Sequence, residues 1–234
     1  MASEPATKQR VPPPTGFWSE DRSLSVFLIS IIVVYFILTP LAELGPVMAF
    51  TVETSFALCL ISGITAVFGK RPVARLAKLV CMVAWLTHQF RMLTPGTLLT
   101  EVDLFLTFFC LSSFVVVLIT RVLSDGEGNY FRLQGAAAAY IMTAVAWGHL
   151  YTLLETVQPG CFSGRTEHLD AKHLLDTLTF FSSITLTTVG YGDIVPVHPF
   201  ARSMVSLEAF WGVLYPAILV SRLVTLSLPP DQSK

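Results

Sequence analysis

A short run near the carboxyl terminus has the composition of a main-chain ion-binding segment. Residues 188–193, TVGYGD, place glycine at alternate positions, Gly190 and Gly192. Glycine adopts positive φ without a steric penalty, so alternate glycines let successive carbonyl oxygens face one side of the chain. A row of carbonyl oxygens binds a cation by replacing its hydration shell. The chemistry predicted for this segment is therefore cation coordination by the backbone.

The apolar stretch before this segment is too short to cross a membrane. Residues 174–187 are predicted to form a helix. Its length at about 1.5 Å per residue is about 21 Å, against about 30 Å of hydrocarbon. The helix therefore enters the membrane and the chain returns on the same side, as a re-entrant hairpin. Irregular backbone at that depth must line a water-filled cavity or be buried in protein.

The motif TTVGYGD, after a short helix and between two apolar spans, resembles the pore signature of the tetrameric potassium channels. The resemblance covers about residues 133–226. Trp147 and Tyr151, the outer loop 159–164 and the run 207–215 are similar to the pattern of a group of small bacterial channels.

This resemblance implies a K⁺ filter in which main-chain carbonyls, with the Thr188 hydroxyl, replace the water around the ion. The implied K⁺ ligands and filter residues are Thr188, Val189, Gly190, Tyr191 and Gly192. One chain supplies a quarter of each ring of oxygens, so a homotetramer is implied. K⁺ is then the permeant ligand, and no other cofactor is expected.

Three residues are expected to support the filter: Thr187, Asp193 and Glu208. Many family members hold the filter with indoles and a carboxylate, but the residues behind the filter here cannot bond to Asp193. They are Phe180, Phe181 and Ile184. Arg202 is then the candidate partner of Asp193. Glu208 is expected either to support the short helix through hydrogen bonds or, if ionised, to attract K⁺.

The last span contains two residues that favour bending. Gly212 lies where the inner helix of these channels commonly has its hinge glycine, and Pro216 removes a helix donor one turn later. Close helix packing is the alternative role for Gly212.

The predicted fold is an all-α integral membrane protein with six transmembrane helices, a re-entrant pore helix and a filter. The apolar runs are 24–42, 47–68, 73–93, 98–120, 133–157 and 200–226. Lys and Arg number eleven on one side and four on the other, which predicts cytoplasmic termini in a multi-pass protein of the inner membrane. The predicted domains are a disordered tail 1–22, a four-helix domain 23–122, a pore domain 123–228 and a short tail 229–234.

The first four predicted spans resemble a voltage-sensor domain that lacks its sensor. The fourth span, 98–120, contains no Lys or Arg. Ionisable residues lie instead near the outer side, at Glu53, His88, Arg91, Glu101 and Asp103. Arg91 is expected to pair with Glu53, Glu101 or Asp103 in a structural cluster, and a sensor of pH or of a bound cation is the alternative.

Composition excludes several other classes of protein. Hydrophobic residues make up 53% of the chain and charged residues 13%, so a water-soluble fold is excluded. A net charge of −1 gives no basic field for nucleic acid. Of four cysteines, three lie in apolar runs and Cys161 in a polar loop, and packing is the role expected for all of them. His149 is expected to bond between helices rather than relay protons. No enzyme motif is found.

These observations together predict a K⁺-selective channel that conducts passively, is embedded in membrane lipid and does not respond steeply to voltage. Two alternatives remain open: a weakly selective cation channel, and a non-conducting regulatory subunit that assembles with other pores.

The missing arginines lead to a first prediction. Each charge that crosses the membrane field is worth about 2.3 kcal/mol per 100 mV, and the fourth span supplies none. Open probability should therefore change little between about −100 and +100 mV in single-channel recordings of the reconstituted protein. A steep conductance–voltage curve would contradict this prediction.

Overall fold

The computed structural model describes residues 20–68, 72–94, 96–123, 130–164, 166 and 169–227. The helices in these ranges are α1 (Glu20–Ile32), α2 (Pro46–Phe68), α3 (Pro72–Leu93), α4 (Thr97–Leu123), α5 (Tyr130–Val157), α6 (Ala171–Leu186) and α7 (Pro199–Ser227). Two short strands, β1 (Phe162–Gly164) and β2 (Ile194–Pro196), pair antiparallel and were not predicted from the sequence. Of the predicted tails, only residues 20–22 are described, and they begin α1.

Four of the predicted spans are confirmed as helices long and apolar enough to cross a membrane. They are Val47–Ile64, Thr97–Thr120, Leu133–Val157 and Pro199–Arg222. The chain is therefore a multi-pass membrane protein. The first and third predicted spans also fold as helices, but the apolar part of the first is the shorter Ser25–Leu41. Whether these two cross the bilayer stays a prediction.

The helix α1 changes geometry in its second half. It continues into a π-helical segment, Val33–Leu38, then a turn of α-helix, Thr39–Leu41. Such segments are rare and occur mostly as single turns, frequently at functional sites. The Tyr35 hydroxyl lies 3.3 Å from Oγ of Ser183 in α6. The irregular segment therefore brings α1 into contact with the short helix before the TVGYGD run.

The larger core lies where α1 and α4 pack on the first half of α5. Ala136, Ala138 and Ala139 are fully buried, since their small side chains let the helices approach closely. Leu111 and Leu118 of α4 are also fully buried. The cysteines of this core are packed, as expected, and the Sγ atoms of Cys81 and Cys110 lie 2.9 Å apart.

A second core surrounds α6. It joins Tyr151 of α5, Phe162 of β1, Phe181 of α6 and Ile194 of β2, all buried. The three aromatic rings pack edge to face with centroids 5.3 to 5.7 Å apart. Cys161 lies in the loop before β1, as expected, and it is buried in this core, which confirms the packing role expected for it. The neighbouring Phe162 brings this part of the loop into the core.

The helix α6 begins at Ala171, three residues before the predicted start at 174. Asp170 is its N-cap, with φ −69° and ψ 166°, and its carboxylate accepts a hydrogen bond of 3.0 Å from the His173 backbone N–H. That bond, and then the contact with the His173 side chain, lower the pKa of Asp170 below 3.8. The apolar pattern missed this first turn because its residues are polar.

Replacing the cap should loosen the first turn of α6. Asp170→Ala should speed hydrogen exchange of the amides of residues 171–174 about fivefold, since a lost N-cap costs about 1 kcal/mol. Because the folded pKa is lowered, the cap contributes above about pH 3.8 and is lost as pH falls through the lowered value. Exchange mass spectrometry measures this, with Asp170→Asn as the control that keeps the cap. If these amides exchanged at the same rate in Asp170→Ala and in wild type, the assignment of Asp170 as the N-cap would be contradicted.

Candidate functional site

The segment after α6 alternates in backbone handedness. Thr188 has φ 62°, Gly190 has φ 52° and Gly192 has φ 76°, whereas Val189 and Tyr191 between them have no positive φ. A side chain at either glycine would meet no other atom within 4 Å, so backbone conformation rather than space requires glycine there. Alternating handedness turns successive peptide groups to the same side. The prediction of positive φ at both glycines is confirmed, and Thr188 extends the pattern.

The backbone N–H groups of this segment are bonded back to α6. Thr188 donates to the carbonyl of Thr185 at 2.9 Å, and Val189 and Gly190 both donate to that of Ile184, at 2.8 and 3.1 Å. Among the described residues, none of the hydrogen bonds found is accepted by the carbonyls of residues 188–191. The positive φ of Thr188 is costly for a threonine, and these bonds hold it in place. Within the part of the chain that the structure describes, the segment therefore offers carbonyl oxygens that accept no hydrogen bond.

The side chains of the segment are open to other molecules. Val189 is 54% exposed and Tyr191 is 68% exposed, and the Tyr191 ring stacks on Phe180 with centroids 6.1 Å apart. The expected pair of Asp193 and Arg202 is not formed. Nε of Arg202 donates instead to the Pro196 carbonyl at 3.1 Å, because β2 places that carbonyl beside it. Asp193 is exposed.

Glu208 supports α6 from behind. It is fully buried in α7, and its carboxyl accepts a hydrogen bond from the Tyr151 hydroxyl at 2.6 Å. Its other oxygen contacts Oγ of Ser182 in α6. The Ser182 Oγ also lies 2.8 Å from the Ala144 carbonyl of α5. The expected support through hydrogen bonds is thus present, and it joins α5, α6 and α7.

The number of protons available for these hydrogen bonds indicates whether the Glu208 carboxyl is protonated. A serine hydroxyl has one proton to donate. Ser182 Oγ contacts two oxygens, of Ala144 and of Glu208. Both contacts are full hydrogen bonds only when the Glu208 carboxyl carries a proton and donates it to Ser182. In that state the network is fully satisfied without a buried charge.

The carboxyl end of α6 is held by Tyr140, a residue that the sequence did not single out. The Tyr140 hydroxyl donates to the Leu186 carbonyl at 2.8 Å and lies 3.4 Å from the Gly212 carbonyl. Pro216 has no N–H to offer the carbonyl four residues earlier, which is that of Gly212. Pro216 in α7 therefore leaves the Gly212 carbonyl without its helical donor, and the Tyr140 hydroxyl of α5 approaches that carbonyl.

Gly212 itself marks a close contact. A side chain there would lie 2.0 Å from the Leu186 carbonyl, so only glycine lets α7 approach the end of α6. The helix is continuous from Pro199 to Ser227 through Gly212 and Pro216. This geometry supports the packing role for Gly212, and bending there stays a prediction.

The outer loop is attached to the far end of the segment. In the pairing of β1 and β2, Gly164 lies opposite Ile194, and a side chain at Gly164 would lie 2.1 Å from the Asp193 carbonyl. The Glu155 carboxylate shapes the same loop by accepting from the backbone N–H groups of Gly160 and Phe162 at 2.8 and 3.0 Å. The sequence offered no signal for this pairing beyond two apolar residues and a loop glycine.

The ionisable residues of the first four helices do form a cluster. Arg91 pairs with Asp103 at 2.9 Å, and His88 lies between Asp103 at 2.9 Å and Glu53 at 3.1 Å. Asp103 is buried. The prediction of a paired cluster is confirmed, with Asp103 as the partner of Arg91. His149 was expected to bond between helices, but its Nδ1 contacts the Val145 carbonyl of its own helix at 2.8 Å, one turn away.

A protein-family match covers the part of the chain that carries this segment. Residues 139–227 match the protein family described as Ion channel. The inward rectifier potassium channel Kirbac3.1 of Paramagnetospirillum magnetotacticum is 36% identical over 69 residues, which are 30% of this chain and 19% of that protein. Protein LctB of Bacillus caldotenax is 30% identical over 87 residues, 36% of this chain and 64% of that protein. No solved structure matches.

These similarities point to an ion channel rather than an enzyme. The chain covers less than two thirds of either relative, so the similarity does not extend to the whole of those proteins. The matched range begins in α5 and ends with α7. It contains the alternating segment, α6 and the residues that hold them. The first four helices lie outside it.

The Glu208 network yields a direct test. Glu208→Ala should lower the free energy of unfolding by about 1–3 kcal/mol, because the buried Tyr151 hydroxyl loses its acceptor while Ser182 keeps its bond to the Ala144 carbonyl. Glu208→Gln can still accept from Tyr151 and donate to Ser182, so it should retain most of the stability. Denaturant unfolding of the detergent-solubilised protein measures both. Equal losses in the two variants would show that a carboxylate charge is needed.

Proposed function

We propose that this chain is the subunit of a K⁺-selective channel that conducts K⁺ down its electrochemical gradient. The observation that carries the proposal is the alternation of positive φ at Thr188, Gly190 and Gly192, together with carbonyls that accept no hydrogen bond within the described chain. Carbonyl oxygens turned to one side replace the water around K⁺. The similarity of residues 139–227 to ion channels supports the same reading.

Each residue of the segment then has a role. The carbonyls of Thr188, Val189, Gly190 and Tyr191 coordinate K⁺, and Gly192 lets the chain leave the filter. The carboxyl end of α6 carries a partial negative charge that favours a cation next to it.

The residues around the filter hold it in place. Thr187 ends α6, Glu208 holds α6 against α5 and α7, and Asp193 stands at the filter exit. Gly212 and Pro216 are the place where α7 would bend during gating.

A homotetramer follows from the need to surround the ion. One chain presents its carbonyls from one side only, so four copies around an axis complete each ring. Two observations support this assembly: the filter side chains are exposed, and α7 presents a large apolar surface that includes Phe210, 68% exposed, and Val213, 58% exposed. Such a surface is either buried against other subunits or covered by lipid.

The topology proposed for the channel has six spans with both termini in the cytoplasm of a cell with an inner membrane. The charge asymmetry of the sequence supports this orientation. In the first four helices, Arg91 is paired with Asp103 instead of being free to move in the field. This supports a channel whose opening does not depend steeply on voltage.

The test is ion flux through the purified protein in liposomes. Wild type should give a K⁺ over Na⁺ preference in bi-ionic reversal potentials. Gly190→Ala should reduce that preference at least about tenfold, because alanine at φ 52° costs roughly 1–2 kcal/mol and disturbs the ring of carbonyls. Gly96→Ala is the matched control, since Gly96 has no positive φ and no nearby atom.

The outcomes separate the candidate functions. Retained K⁺ preference in Gly190→Ala would refute readout by the backbone. Wild-type flux without preference would indicate a weakly selective cation channel. No flux from assembled protein would indicate a regulatory subunit that needs another pore-forming chain.

A further inference from the structure

A cavity of about 690 Å³ lies between the first helices and α6. Ligand pockets in proteins have volumes of about 300–1,000 Å³, so it is large enough for part of an organic molecule. Its walls come from the π-helical segment and the turns that follow it, and from α2, α3, α4, α5 and α6. An occupant would therefore touch both the helix bundle and the helix that precedes the filter.

The lining of the cavity is layered from polar to apolar. At 1.5 Å per residue, Arg91 lies about 3 Å and His88 about 8 Å from the carboxyl end of α3, while Cys81 lies about 18 Å from it. On α2 the order is the same, since Glu53 lies about 10 Å from the start of the helix and Leu60 two turns deeper. A molecule with a polar head and a long apolar chain matches this gradient.

The charges at the polar end are balanced. The cations of the lining are Arg91 and Lys172, and the anions are Glu53 and Asp176. Apart from tyrosine and cysteine, the other ionisable residues of the lining are His88 and His149. His88 lies between Glu53 and Asp103. A purely anionic head would meet two carboxylates, and a purely cationic head two cations. A head group that carries one charge of each sign meets oppositely charged side chains at each of its two charges.

The middle layer offers a hydrogen-bond donor. The Trp85 indole lines the cavity, and its Nε1 is buried without an acceptor among the described residues. Indole N–H can only donate, and a buried donor without a partner costs free energy. Trp85 lies about 12 Å from the end of α3, between the charged groups and the apolar depth. An ester carbonyl between head and chain would meet it there after the indole ring turns toward the cavity.

We propose that this cavity binds one zwitterionic diacyl phospholipid, with its ammonium and phosphate among the charged groups, an ester carbonyl on Trp85 and one acyl chain against Leu60 and Cys81. The proposal does not depend on ion conduction. It adds a specific lipid to the general contact that any membrane protein makes with the bilayer.

The experiment is native mass spectrometry of the full chain in detergent with dioleoylphosphatidylethanolamine as the probe. One lipid per chain should bind in preference to dioleoylphosphatidylglycerol. Ala84→Phe, which fills the cavity wall, should weaken binding at least about tenfold. Val83→Phe, on the exposed neighbouring position outside the cavity, should not. Ala57→Phe fills the opposite wall and repeats the test if Ala84→Phe fails to fold.

The ester contact has its own test. Trp85→Phe should weaken binding of the diester probe about fivefold, the value of one hydrogen bond, and should leave a diether phosphatidylethanolamine unaffected. Preference for phosphatidylglycerol, an equal loss in Val83→Phe and Ala84→Phe, or the absence of a lipid adduct would each overturn the proposal.

Discussion

The arrangement of the candidate site depends on where the backbone N–H groups after α6 find their acceptors. The amides of Thr188, Val189 and Gly190 bond to carbonyls of the last turn of α6, and among the described residues none of the hydrogen bonds found is accepted by the carbonyls of the segment. This works only while the end of α6 stays in place. Three contacts keep it there. Glu208 contacts the Ser182 hydroxyl, Tyr140 donates a hydrogen bond to the Leu186 carbonyl, and Gly212, which has no side chain, lets α7 pack closely against the end of α6.

Sequence patterns were sufficient for the features that depend on local chemistry. The positive φ of the alternate glycines could be predicted because glycine itself tolerates that conformation. The four long apolar runs could be predicted as helices because a backbone in lipid must satisfy its own hydrogen bonds. The buried Glu208 was recognised because a carboxyl group in an apolar span is expensive and needs partners.

Features that depend on contacts between residues distant in the chain could not be predicted from sequence patterns. The Asp193–Arg202 pair was inferred from proximity along the chain, but β2 gives Arg202 a nearer carbonyl. His149 bonds within its own helix because the Val145 carbonyl is one turn away. The π-helical turn in α1 and the role of Tyr140 depend on contacts with distant residues, Ser183 and Leu186, that no local pattern reports.

The pairing of β1 with β2 joins the loop before β1 to the end of the TVGYGD segment, so the two move together. Only glycine at position 164 fits beside the Asp193 carbonyl, and Glu155 fixes the turn that leads into β1. In the proposed channel, a molecule that binds this loop, such as an antibody fragment or a toxin-like peptide, would alter permeation without entering the pore. Residues around 158–164 are therefore a target for reagents designed to control the current of that channel.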